Sequence, residues 1–164
     1  MGKQLTDIVR ILFPALQEEK RQQILKDFER TEVQYLYEYG ATLYAGVKET
    51  VVFLYQKYNL FIVSNCQNGY VSAFLHAHNL TPYFKDTVMS GQTGLEKGSN
   101  IKNLMKKHGI RTAVYVGDTA GDENASKEAG IPFIWARYGF GTATNPDGII
   151  STISELKTCV ERYI

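Results

Sequence analysis

Residues 117–122 read Gly-Asp-Thr-Ala-Gly-Asp, directly after the apolar run Ala113–Val116. The pattern places two carboxylates, Asp118 and Asp122, at the tip of a buried strand. Packing does not explain a charged pair there, and in open α/β sheets ligands bind beyond the carboxyl ends of the strands. Carboxylate oxygens are hard ligands suited to Mg2+, which takes one or two of them and keeps several waters. Three more features follow apolar runs. Ser64 and Asn65 follow Leu60–Val63, Lys97 comes after Thr87–Met89, and Tyr138-Gly139-Phe140-Gly141 comes after Pro132–Trp135. A serine hydroxyl and the N–H groups of a helix N-terminus bond phosphoryl oxygens. A lysine offsets charge on the phosphoryl group and on an attacking carboxylate. Together they suit a phosphate monoester.

Each residue taken singly has a plainer reading. Ser64 suits a turn or cap, and either aspartate suits the cap of a helix near Glu123. Lys97 suits a solvated surface, and Gly139 with Gly141 suits a turn. His76, His78 and His108 lack metal-like spacing, and Cys66 has no histidine near it in sequence. The order is what points to a site: hydroxyl, then ammonium, then paired carboxylates, each after its own strand.

The elements that must position these residues follow from the apolar pattern. From Tyr44 onward, helical and strand patterns alternate. Helices are expected at 47–58, 70–78, 100–108, 123–129 and 153–163, and strands at 60–63, 87–89, 113–116 and 132–135. Continuously apolar strands alternating with helices predict a parallel sheet covered on both faces, an α/β Rossmann-like architecture. The first forty residues differ. Ile8, Leu12 and Ala15 share one helical stripe, and Ile24, Leu25 and Phe28 share another, with Thr6 as a candidate N-cap and Gly40 as a stop. Two antiparallel helices are expected there.

Composition bounds the function class. The 164 residues carry a net charge of +1, 44% hydrophobic and 21% charged residues, ordinary values for a globular chain. That balance offers no basic field for nucleic acid. No apolar run approaches the roughly 20 residues that span a bilayer, so no membrane partner is expected. Cys66 and Cys159 form no disulfide or metal pattern, and reduced thiols suit a cytoplasmic protein.

The sequence resembles the haloacid dehalogenase-like (HAD) hydrolases, close to their phosphoglycolate-phosphatase-type members. Ile62-Val63-Ser64-Asn65 looks like the family's second motif, and Gly94-Leu95-Glu96-Lys97-Gly98 like its third. Val116-Gly117-Asp118-Thr119-Ala120-Gly121-Asp122, followed by Ala125 and Ala129-Gly130, is similar to the fourth. The resemblance implies a HAD-like core over 44–164 and a partial helical cap over 1–43. It implies Mg2+-dependent hydrolysis of a small phosphate monoester. Ser64 and Asn65 would bind the phosphoryl group, and Lys97 would bridge it to the nucleophile. Asp118 would ligate Mg2+, directly or through water, and Asp122 would support that site. The family's first motif, a strand ending in Asp-x-Asp-x-Thr, has no counterpart here. Asp27-Phe28-Glu29-Arg30-Thr31 has partial spacing, but Ile24, Leu25 and Phe28 around it repeat at helical spacing. The chain is therefore expected to be a truncated, impaired phosphatase, with a non-catalytic phosphate-binding module as the alternative. The missing strand would sit between the Leu60 and Ala113 strands. Its place is expected to be filled by a second fragment or copy, or removed by the two edges closing on each other.

Overall fold

Five apolar runs form strands, and every pairing among them is parallel. The computed structural model describes residues 5–164. Strand β1 (Leu60–Ser64) pairs with β2 (Phe84–Met89), with Ile62 opposite Thr87 and Ser64 opposite Met89. Strand β3 (Tyr115–Gly117) pairs with β4 (Phe133–Ala136), and β4 pairs with β5 (Gly148–Ile150). The two pieces do not join, because β1 and β3 are each an end strand. A gap thus lies where the sequence places one, and its two edges have not closed.

Helices cover the pieces. Helix α3 (Val47–Tyr55) packs against the short α8 (Leu156–Cys159), and α6 (Lys97–His108) packs against α7 (Ala120–Ala129). Helix α4 (Tyr70–Ala77) follows β1, and the single turn α5 (Ser90–Thr93) follows β2. One core cluster gathers Leu54, Ile134, Ala136, Ile150, Leu156 and Val160, while a second gathers Val71, Leu75, Leu80 and Met89. Burying each such large side chain contributes about 1.5–3 kcal/mol. Gly109 and Gly130 end α6 and α7 at φ +62° and +73°, a left-handed conformation that glycine adopts without strain.

The two expected N-terminal helices are α1 (Leu5–Leu12) and α2 (Glu18–Tyr39), and α2 lies along α4. Their inward faces differ from the expected stripes. Val9, Leu25 and Leu36 are buried, whereas Ile8, Leu12, Ala15 and Phe28 are exposed, because α1 is apolar nearly all round and only part of it meets α2. Thr6 lies inside α1, so a cap for that helix falls outside the described residues. Tyr55 is also exposed, with its ring edge-on to Tyr83, while Thr50 and Leu54 take the inward positions. The expected helix over 153–163 is broken into α8 flanked by two 3-10 turns. β-Branched Thr152, Ile153, Thr158 and Val160 stiffen that stretch. Strand β5 escaped the sequence reading because only two apolar residues mark it.

Asp86, on β2, accepts from Lys107 Nζ at 2.7 Å and meets His108 Nε2 at 2.7 Å. The His108 bond, then the Lys107 bond, hold its carboxyl down at about 2, from an ordinary 3.8. A carboxyl depressed by folding stabilises above its ordinary pKa and loses that stabilisation as pH falls through the depressed one. Asp86→Asn is therefore expected to be less stable than wild type at pH 6, with the deficit vanishing as pH falls from about 4 to about 2. Urea midpoints across that range check it.

Candidate functional site

Asp118 and Asp122 do not both cap the helix after β3. Thr119 is the N-cap of α7, and Asp122 stands at the third helical position, closing a capping box with it. Asp122 Oδ2 accepts the Thr119 N–H at 3.0 Å, the Thr119 hydroxyl at 2.7 Å and the Asp118 N–H at 3.2 Å. Its other oxygen, Oδ1, meets Lys97 Nζ at 2.5 Å. Lys97 is thus no solvated lysine, and the pair is nearly buried, with side chains 13% and 6% exposed. Burial pushes the Asp122 carboxyl up. The Lys97 ammonium and the Thr119 donors outweigh it and hold the group below its ordinary range.

Asp118 is held from the other side by the glycine loop after β4. Its Oδ2 accepts the Phe140 N–H at 2.8 Å, and its carbonyl accepts the Trp135 indole N–H at 3.2 Å. The loop lies so close that a Cβ on Gly139 would stand 2.3 Å from Asp118 Cβ. Gly117 is as constrained, since a Cβ there would stand 2.5 Å from Asp122 Cβ. These two glycines therefore serve close approach rather than a turn alone.

Ser64 and Asn65 end β1. The Ser64 hydroxyl accepts the Cys66 N–H at 3.3 Å, and Asn65 Oδ1 accepts the Ser90 hydroxyl at 3.1 Å. The path from this strand end to the acidic pair runs through Tyr115. Its hydroxyl donates to the Val63 carbonyl at 2.8 Å, and Lys97 Nζ lies 5.9 Å from its ring centroid. The structure thus joins Lys97, Asp118 and Asp122 through direct bonds. It sets Ser64 beside them by way of Val63 and Tyr115. Lys97 opens the helix after β2, Asp122 lies in the helix after β3, and the two touch, so the carboxyl ends of both sheet pieces face one side.

Sequence reasoning missed several supports. Buried Asn100 accepts the Thr93 hydroxyl at 2.9 Å and donates to the Leu95 carbonyl at 3.1 Å and the Ser90 hydroxyl at 3.4 Å. This network ties the ends of β1 and β2 to α6. Ser90 was findable, as a hydroxyl immediately after a strand. Glu123, 1% exposed, accepts the Thr144 N–H at 2.8 Å and the Asn145 N–H at 3.0 Å, anchoring the chain beyond the glycine loop to α7. Its sequence signal is that of any helix carboxylate. The histidines do other work: His78 Nε2 accepts the Ala41 N–H at 3.1 Å, and His76 stacks on Tyr37. Burial raises the Cys66 thiol, as suits an unreactive cysteine.

Residues 1–136 match the family model of haloacid dehalogenase-like hydrolases. The chain belongs to this family. A phosphoglycolate phosphatase of Photorhabdus laumondii subsp. laumondii is 29% identical over 133 residues, which are 74% of this chain and 56% of that protein. The chain thus spans little more than half the length of this relative. Among solved structures, a predicted phosphoglycolate phosphatase from Haemophilus somnus 129PT superposes with a TM-score of 0.75 at 24% identity, over 86% of this chain and 67% of its own. The HAD-hydrolase candidate YfnB of Bacillus subtilis, solved bound to magnesium, gives 0.69 at 19% identity, over 92% and 77%. These two likenesses establish the HAD-like α/β fold.

The donor chemistry admits Mg2+. Both Asp122 oxygens are engaged by Lys97 and the capping box. Asp118 has one oxygen on Phe140 and its other, Oδ1, without a protein partner among the described residues. No cluster of three or more metal-ligating side chains occurs among the described residues. A site of one carboxylate, waters and phosphate oxygens is within the normal habit of Mg2+, though not of a closed transition-metal site. No described helix is long and apolar enough to cross a membrane.

Proposed function

We propose that the chain carries the phosphate- and Mg2+-binding part of a phosphomonoester hydrolase acting on a small phosphorylated metabolite in the cytoplasm. The contact between Lys97 and Asp122, with Asp118 bonded to the same carboxylate, carries the reading. Ser64, Asn65 and the N–H groups of the turn after β1 bind phosphoryl oxygens. Lys97 offsets their charge, and Asp122 fixes where its ammonium sits. Asp118 holds Mg2+, which when bound supplies charge neutralisation at the phosphoryl group. The match to phosphatases supports the reaction class, and a net charge of +1 favours neither nucleic acid nor a membrane surface as partner.

Hydrolysis through a phospho-aspartate needs a carboxylate nucleophile. The nearest spacing, Asp27 to Thr31, lies inside α2, where the Thr31 hydroxyl bonds the Asp27 carbonyl at 2.8 Å. With Asp122 engaged on both oxygens and Asp118 assigned to the metal, the 164 residues alone bind phosphate and turn over little. The same observation favours, as a second reading, a module that binds phosphorylated ligands without chemistry.

Calorimetry with inorganic phosphate, with and without Mg2+, together with p-nitrophenyl phosphate turnover, tests both. Binding that needs Mg2+ and weakens about tenfold or more in Asp118→Asn is expected, with negligible turnover. Turnover that disappears in Asp118→Asn would show that the chain holds its own nucleophile. Absence of phosphate binding under every condition would sink the site.

A further inference from the structure

The gap between the sheet pieces is a site in its own right. A cavity of about 780 Å³ opens between β1 and β3, and residues of both strands line it. Each strand pairs on one side only. The two edges therefore present unpaired backbone donors and acceptors across one space, which is costly unless something bonds them. A phenol spans part of it: Tyr115, on one edge, donates to the Val63 carbonyl on the other at 2.8 Å. Two strands a phenol apart stand farther than the roughly 4.8 Å of paired neighbours. Thr50, 1% exposed, also lines the cavity, and its hydroxyl has no partner among the described residues.

We infer that this slot receives one extended apolar segment of a separate polypeptide, which pairs with β1 on one side and β3 on the other. Backbone complementarity sets its conformation. Open strand edges capture extended peptides through main-chain bonds, and β1 offers five residues, roughly 17 Å of strand at about 3.3 Å each. The lining sets its chemistry. Ile101, Leu104 and Met105 of α6 cover the slot from one layer, and Leu54, Leu156 and Val160 of α3 and its neighbours from the other. A strand there meets apolar surface with both of its faces, so consecutive residues must be apolar rather than alternate ones. A second copy of this chain does not fit as the occupant, because its five described strands already lie in its own two sheet pieces. The inference does not depend on phosphate chemistry. It makes Tyr115 the holder of the empty slot, since its bond to Val63 must break when a strand enters.

The probe is a fluorescein-labelled synthetic peptide with five alternating valines and isoleucines between lysine pairs. The expected result is saturable binding to the full chain by anisotropy. Slowed hydrogen exchange should appear at both Leu60–Ser64 and Tyr115–Gly117. Proline at the central position, which removes a main-chain donor, should abolish binding. Tyr115→Phe should bind about fivefold more tightly, because the Val63 carbonyl is no longer claimed. Several results would overturn the inference. They are no binding, binding indifferent to proline, protection of one edge alone, and weaker binding by Tyr115→Phe. A dimer in native mass spectrometry that excludes the peptide would also overturn it, in favour of a second copy.

Discussion

Lys97→Met is expected to lose about 3–5 kcal/mol of stability, the cost of stranding a buried carboxylate whose partner has gone. Asp122 is 4% exposed, and no other cation contacts it. Such a loss rivals the total stability of a domain, about 5–15 kcal/mol. The pH dependence gives the effect a signature. In the wild type, Asp122 sits below its ordinary range, so its stabilisation holds above that range and fades as pH falls through the depressed value. In Lys97→Met, burial acts without the ammonium and the carboxyl moves up, so protonation relieves the variant. The deficit should therefore shrink as pH falls from about 5 to about 3. Lys97→Met with Asp122→Asn should recover most of the loss at pH 7, since an amide in the capping box needs no counter-charge. Denaturant midpoints at several pH values measure all three. A single variant within 1 kcal/mol of wild type would show that the pair does not hold the site together.

Gly139→Ala should have the second largest effect, and on binding more than on stability. The added methyl would stand 2.3 Å from Asp118 Cβ and 2.6 Å from its Oδ2. Neither the loop nor Asp118 can yield without breaking the bond from Phe140 N–H to Asp118. Overpacking of this kind costs about 1–3 kcal/mol. Displacing a metal-orienting contact costs about 10–100-fold in affinity, so Mg2+-dependent phosphate binding should fall by that factor. Gly121→Ala in the same motif is the contrast. Its nearest neighbour would be the Thr119 hydroxyl at an ordinary 3.4 Å, and it lies in α7. Replacing a helical glycine should raise stability by about 0.5–1 kcal/mol. Thermal melts and phosphate calorimetry separate the two cases.

The parts of this molecule legible in the sequence are those with local signatures. The runs at Leu60, Thr87, Ala113 and Pro132 announce strands by unbroken apolar character, and Gly109 and Gly130 announce helix ends. The pairing of Lys97 with Asp122 could be guessed from position alone, because both follow strands of one parallel architecture. What remained hidden depends on contacts between distant segments. Glu123 looks like any helix carboxylate until the backbone at Thr144 and Asn145 comes to it from across the fold. Asn100 gives no hint that it ties two strand ends together. The inward face of α1 was misread because a helix apolar on nearly every side does not say which side its neighbour will cover. Tyr115 reads as a core aromatic, and only the open edge opposite gives its hydroxyl a role.

The bond from the Trp135 indole to the Asp118 carbonyl has a practical consequence. This is the chain's single tryptophan. Its emission colour and intensity respond to the polarity and hydrogen bonding around the ring, so any movement of Asp118 on taking up an ion or an ester is written into intrinsic fluorescence. Occupancy can then be titrated optically on unlabelled material, with no second chromophore of its kind to blur the signal.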